Sequence, residues 1–172
     1  AILADDSLAH PPIEALITAD EEIGMLGAFA LDCSQLKGHK LINLDSEYEG
    51  ILMCSCAGGV NVRSTVPVAR EAVTGAAVDI VIKGLTSGHS GVEIDKGRAN
   101  ANALMGRMLC ELAAKEDFRL AALEGGSRET AIAASSSAQI IVEPGKATGV
   151  CEIVGKLGAQ YASEYATAEP NM

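Results

Sequence analysis

Between Val78 and Ala166 the hydrophobic period changes in a fixed order, and that order limits the fold more than any other feature of the chain. Val78 to Leu85 (VDIVIKGL) alternates apolar and polar residues, the period of a strand with one wet face. Arg98 to Lys115 then sets Leu104, Met108, Leu109 and Leu112 on one stripe, as an amphipathic helix requires. Phe118 to Leu123 and Ala138 to Val142 read as two more strands, separated by a loop containing Gly and Ser. Gly149 to Ala166 follows as a helix with Val150, Ile153, Val154, Leu157 and Tyr161 on one face. The resulting β-α-β-β-α order is a split-βαβ, ferredoxin-like unit lacking only a last strand.

Upstream of Ala57-Gly58-Gly59 the character differs. Ile13 to Thr18 and His39 to Leu44 are apolar runs of strand length, and Gly24 to Leu31 between them has helical spacing. A βαβ pattern of this kind predicts parallel strands, with Ile51 to Cys56 as a third. Val60 to Val68 alternates and predicts an antiparallel strand. The expected fold class is therefore α/β plus α+β: part of a parallel α/β domain over residues 1–57, then the ferredoxin-like unit over 58–172. Ala1 to Ala9 reads as the tail of a helix begun earlier, and Asn171-Met172 ends without a closing strand. The chain is expected to be an internal piece of a longer protein.

Composition narrows the partners. Lys and Arg total 13 against 23 Asp and Glu, giving a formal charge of −10. That field repels phosphate backbones, so neither nucleic acid nor an anionic membrane is an expected partner. Aromatic residues are 3% of the chain and Trp is absent, which leaves no platform for stacking bases. No window holds the run of about 18 apolar residues that a membrane helix needs, and nothing reads as a signal peptide. Cys33, Cys54, Cys56, Cys110 and Cys151 are odd in number and lack a framework spacing, so reduced thiols and a cytoplasmic setting are expected.

Two acidic segments and one histidine loop carry the candidate chemistry. Asp20-Glu21-Glu22 follows the first expected strand and Asp45 ends the second, at the strand ends where parallel sheets bind ligands. Carboxylates that converge there raise one another's pKa, a conflict that a divalent cation resolves. A third carboxylate beside the metal then takes a proton from bound water. The competing reading makes Asp20, Glu21 and Glu22 first-turn acids favoured by a helix dipole. Glu47 and Glu49 read as solvent-facing. Gly84 to Gly91 (GLTSGHSG) is a glycine-rich turn around His89, which as an imidazole can donate to a developing oxyanion; the alternative is a turn histidine without a role. Arg98 and Arg128 are open between carboxylate binding and plain surface positions.

Taken together, ITADEEIGMLGA at 17–28, LINLDSEYEG at 41–50, CAGGVNV at 56–62 and KGLTSGHSGVEIDKGRANANALMGRML at 83–109 resemble the di-zinc aminopeptidase, carboxypeptidase and deacylase superfamily. Within it they are most similar to the aminoacyl-histidine (Xaa-His) dipeptidase branch. The resemblance implies that Glu21 is the general base, that Glu22 and Asp45 ligate one zinc ion each, and that His89 reaches across a homodimer to hold the substrate carbonyl. It also implies that residues 58–172 are a lid and dimerisation domain and that the substrate is a short peptide. Related deacylase or tripeptidase activity, or a purely dimerising role, are the alternatives.

The departures are equally specific. The family's H-x-D motif has no counterpart here, because His10 is followed by Pro11, and its bridging Asp and late His are expected to fall before Ala1 and beyond Met172. Thr130 stands where the family has a substrate-positioning Asn, Ala133 where it has Pro, and Ser87 where it usually has Gly. With only two ligands and the base, this chain alone is expected to be inactive and to bind zinc weakly.

Overall fold

The computed structural model describes residues 4–45, 48–56 and 58–172. The chain divides into two compact units, Ala1–Gly59 and Val60–Met172. The expected boundary residue Ala57 and the first three residues of the expected leading helix lie outside the described residues.

In the first unit the described regular structure is a short helix, α1 (Leu26–Phe29), and one 3-10 turn at Cys33–Gln35. Asp32 caps that turn through its side chain, which accepts from the Ser34 amide. From Asp5 onward the residues expected to end a leading helix form none, and the expected strands at 13–18, 39–44 and 51–56 are not formed. Ile17, Leu41, Leu44 and Leu52 in those segments are exposed. The physical reason is that a doubly buried parallel strand owes its state to neighbouring strands and covering helices, not to its own apolar run.

The second unit follows the order read from periodicity. β1 (Ala76–Ile82) leads to α2 (Ala101–Ala113), then β2 (Arg119–Gly125), β3 (Ser136–Val142) and α3 (Ala147–Glu164). The expected strand at Val60 to Val68 is absent, and Val60, Val62, Val66 and Val68 are exposed, so the alternation there has no sheet to serve. The sheet order is β1-β3-β2, with β3 antiparallel to both neighbours. This is the split-βαβ arrangement, in which β1 and β2 run parallel on either side of β3.

Register follows the alternation. Val78 pairs with Ile140 and Ile80 with Ala138, all buried, while the intervening Asp79 pairs with Gln139 on the other face. There the Gln139 side-chain amide donates to Asp79 at 2.9 Å. A register shift between Leu120 and Ala122 makes Ala121 an extra residue in β2.

Both helices pack on the buried face. α2 contributes Leu104, Met105, Met108 and Leu112, and α3 contributes Val150, Leu157 and Tyr161, to a single core with Ile80, Ile140 and Val142. Asn100 starts α2 by accepting from the Asn102 and Ala103 amides, an N-cap that satisfies donors with no helical partner.

Candidate functional site

The acidic segment of the first unit forms a tight turn. Gly24 and Met25 donate their amides to the Glu21 carbonyl, and Gly27 donates to the Ala19 carbonyl at 3.1 Å. A Cβ on Gly27 would lie 2.7 Å from the Ala19 nitrogen, so only glycine permits this approach. Asp20 takes a positive φ of 61°, which Asp tolerates better than most residues. Glu21 and Glu22 point their acids from this turn into solvent, and neither is a first-turn acid of α1, which begins only at Leu26. Asp45 is exposed, with its amide donating to the Asn43 side chain at 3.0 Å. Glu49 is exposed, as expected, and Glu47 lies outside the described residues.

Zinc accepts carboxylate oxygens but takes three protein ligands in catalytic sites and four in structural ones. Among the described residues no group of three or more His, Cys, Asp and Glu side chains is placed to hold a metal ion. Glu22 and Asp45 therefore suit a metal in kind but not in number.

The histidine loop of the second unit is built much more firmly. His89 faces Ala131 across an isolated antiparallel bridge. Around it the Ser90 amide donates to the Thr130 carbonyl at 2.8 Å and the Ile132 amide to the Gly88 carbonyl at 2.9 Å. The Ser87 hydroxyl adds a 2.6 Å bond to the Ile132 carbonyl. Thr130, taken from sequence as a substrate contact, is thus one residue from the position opposite His89, with its side chain at the surface.

The imidazole is oriented by its own loop. Its Nδ1 accepts from the Gly91 amide at 3.0 Å and the Val92 amide at 3.3 Å. An acceptor Nδ1 carries no proton in the neutral ring, so Nε2 holds the hydrogen and serves as a donor. That is the form in which a histidine donates to a substrate oxygen.

Glu93 ties the loop together. Its carboxylate takes the Lys96 ammonium at 2.9 Å, the His89 amide at 2.9 Å and the Arg98 guanidinium at 3.0 Å. These bonds, led by that from Lys96, hold its carboxyl down to about 2. Arg98 also donates to the Ser87 carbonyl. Arg98 is thus a half-buried brace within the loop, which settles its ambiguity, and Gly88 is glycine because its φ of 149° is one that L side chains rarely adopt. Sequence reasoning missed Glu93, although its spacing from Lys96 and Arg98 was a usable signal.

Comparison with known proteins agrees with this architecture. Residues 80–166 match the peptidase dimerisation domain family. The chain is 39% identical over 174 aligned positions to the cytosol non-specific dipeptidase of Escherichia coli, covering all of this chain and 36% of that protein. It also resembles the crystal structure of aminoacylhistidine dipeptidase from Vibrio alginolyticus, with a TM-score of 0.74, 31% identity, and coverage of 98% of this chain and 35% of that one. The chain therefore spans about a third of the length of either relative. Among the described residues no helix is long and apolar enough to cross a membrane. The β-α-β-β-α order, the single antiparallel sheet and the matched residues together place the chain in the peptidase dimerisation domain family.

Proposed function

We propose that this chain is part of a cytosolic, metal-dependent dipeptidase, with residues 1–57 belonging to its catalytic domain and 58–172 to its lid and dimerisation domain. The observation that carries the reading is the end-to-end match to a dipeptidase, which takes in the acidic turn at 20–22, Asp45 and the His89 loop at once. In this reading Glu22 and Asp45 supply oxygens to a two-ion zinc centre whose other ligands lie outside this chain. When bound, the metal supplies Lewis-acid polarisation of the peptide carbonyl and a more acidic water. Glu21 takes the proton of the attacking water and delivers it to the leaving amine. His89 donates from Nε2 to the carbonyl oxygen as negative charge develops there, in the active site of the partner copy. Thr130, beside it, contacts the substrate.

A homodimer fits the sheet. β2 is an edge strand, and its Leu120 and Leu123 are exposed, leaving an unpaired backbone row with apolar side chains. Gel filtration of the chain at high concentration checks this: a dimer is expected, and a strict monomer argues against it. The same edge is what a purely dimerising module would use, so activity must be measured.

The deciding experiment assays the longer protein on β-alanyl-histidine, other dipeptides, a tripeptide and N-acyl amino acids. Cleavage of dipeptides, with Glu21→Gln and His89→Ala each lowering kcat by roughly 10²-fold or more, is the expected outcome. Deacylation without dipeptide cleavage would transfer the site to the deacylase branch. No zinc-dependent turnover is expected from the 172-residue chain alone.

A further inference from the structure

One buried acid has no place in the reading above. Glu169 is 2% exposed, just past the end of α3, where its amide donates to the Tyr165 carbonyl at 2.8 Å. Its two carboxylate oxygens are used separately. One accepts from the Thr86 amide at 2.6 Å and the other from the Ala99 amide at 3.0 Å. Those amides mark the two ends of the segment that carries His89. The neighbouring contacts tighten the same junction. The Thr86 hydroxyl donates to the Ala168 carbonyl at 3.4 Å, and Gly84 lies so close to the Asn171 carbonyl that a Cβ would not fit. Leu85 and Ala99, which flank the segment, are buried in the core.

A carboxylate is the one side-chain group that accepts from two converging amides on two separate oxygens without presenting a donor to either. Burying its charge is costly unless such bonds compensate, so the group is kept for what it holds in place. We propose that Glu169 is a positioning residue: it clamps both ends of segment 86–99 and thereby fixes the direction and the Nε2–H tautomer of His89. The clamp acts through the loop and touches no substrate. Its functional meaning rests on the proposed role of His89, while its existence does not.

The test uses the isotope-labelled 172-residue chain, with Glu169→Gln as the isosteric variant. Long-range proton–nitrogen spectra of the imidazoles report the tautomer, and the exposed His10 and His39 serve as internal references. The wild-type chain is expected to hold His89 as the Nε2–H form. Glu169→Gln is expected to mix the tautomers and speed amide exchange at Gly91 and Val92 by roughly tenfold or more, with β3 amides unchanged. An unchanged tautomer and unchanged exchange in a folded variant would overturn the clamp. Should the variant not fold, couplings across the hydrogen bonds from the Thr86 and Ala99 amides to the Glu169 carboxyl carbon decide on the wild type: present supports the clamp, absent overturns it. None of these readouts needs activity. An inactive longer protein would therefore sink the dipeptidase reading alone, and an unmoved His89 would sink the clamp alone.

Discussion

The guanidinium of Arg107 on α2 lies 4.4 Å over the ring of Tyr161 on α3 and at the same time binds Glu164 one turn further along. It also pairs with Glu111 at 2.8 Å, and Glu111 accepts from the Tyr161 hydroxyl at 3.1 Å. One planar cation thus joins both helices through a ring face and two carboxylates. Burial first, then the bond to Glu111, pushes the Tyr161 phenol up to about 12, and Arg107 holds Glu164 down to about 2.

Replacing Arg107 tests that junction. The side chain is partly exposed, so screening keeps the loss of stability on Arg107→Ala small. Arg107→Lys is expected to recover little of it, because an ammonium cannot cover the ring and hold two acids in one plane. Urea unfolding of the two variants measures both, and full recovery by Lys would show that charge alone matters.

Glu93 predicts an acid limit for the histidine loop. Its carboxyl is lowered from an ordinary 4.5 to about 2, so the folded loop binds its proton less readily than the unfolded chain does. The stabilisation is complete above 4.5 and is lost as pH falls through about 2. Carbon-detected titration of Glu93 should give a midpoint near 2, and a midpoint near 4.5 would mean that its bonds to Lys96, the His89 amide and Arg98 do not persist in solution.

The core predicts an unequal response to truncation. Leu112 is fully buried between α2 and the sheet, so Leu112→Ala should cost about 2–5 kcal/mol by lost transfer energy and the cavity left behind. Leu123→Ala, at an exposed edge position, should change stability by no more than about 0.5 kcal/mol. Equal costs at the two positions would contradict the packing described.

Gly84 predicts a backbone effect. It holds φ at 84°, and a side chain there would meet the Asn171 carbonyl. Gly84→Ala is expected to destabilise by about 1–3 kcal/mol through strain and displacement of the C-terminal residues. A neutral result in thermal unfolding would mean that residues 169–172 do not pack there in solution.

Metal removal predicts no change in this chain. With no group of three donors among the described residues, a chelator should leave the melting temperature where it was. A fall on adding chelator, reversed by zinc, would require a donor set that Glu22 and Asp45 alone do not provide.

Legibility in the sequence tracked how local each cause was. β1, α2, β3 and α3 were readable because each carries its own period, and Val78, Leu104 and Leu157 sit inside where that period puts them, whereas β2 was readable only as a short apolar run. Ile13 to Thr18 and His39 to Leu44 have the apolar content of buried strands, but a parallel strand is made by its neighbours, and no period encodes them. The His89 loop was visible through its glycines. Glu169 was not, since its two partners stand 83 and 70 positions away and no spacing rule links them. Arg98 was ambiguous for a different reason: its partner Glu93 is only five positions away, but it is the folded loop that turns that carboxylate onto the guanidinium.

The extra residue in β2 has a consequence of parity. Leu120 stands opposite Ile140 and Leu123 opposite Ala138, so the two leucines face the same side although they are an odd number of positions apart. An uninterrupted strand would turn them to opposite sides. Ala121 works as a phase shifter: it slips the alternation by one step, so that the strand enters the sheet in one phase and leaves it in the other. Deleting Ala121 would leave the leucines two positions apart, an even spacing that an uninterrupted strand keeps on one side, opposite the same Ile140 and Ala138.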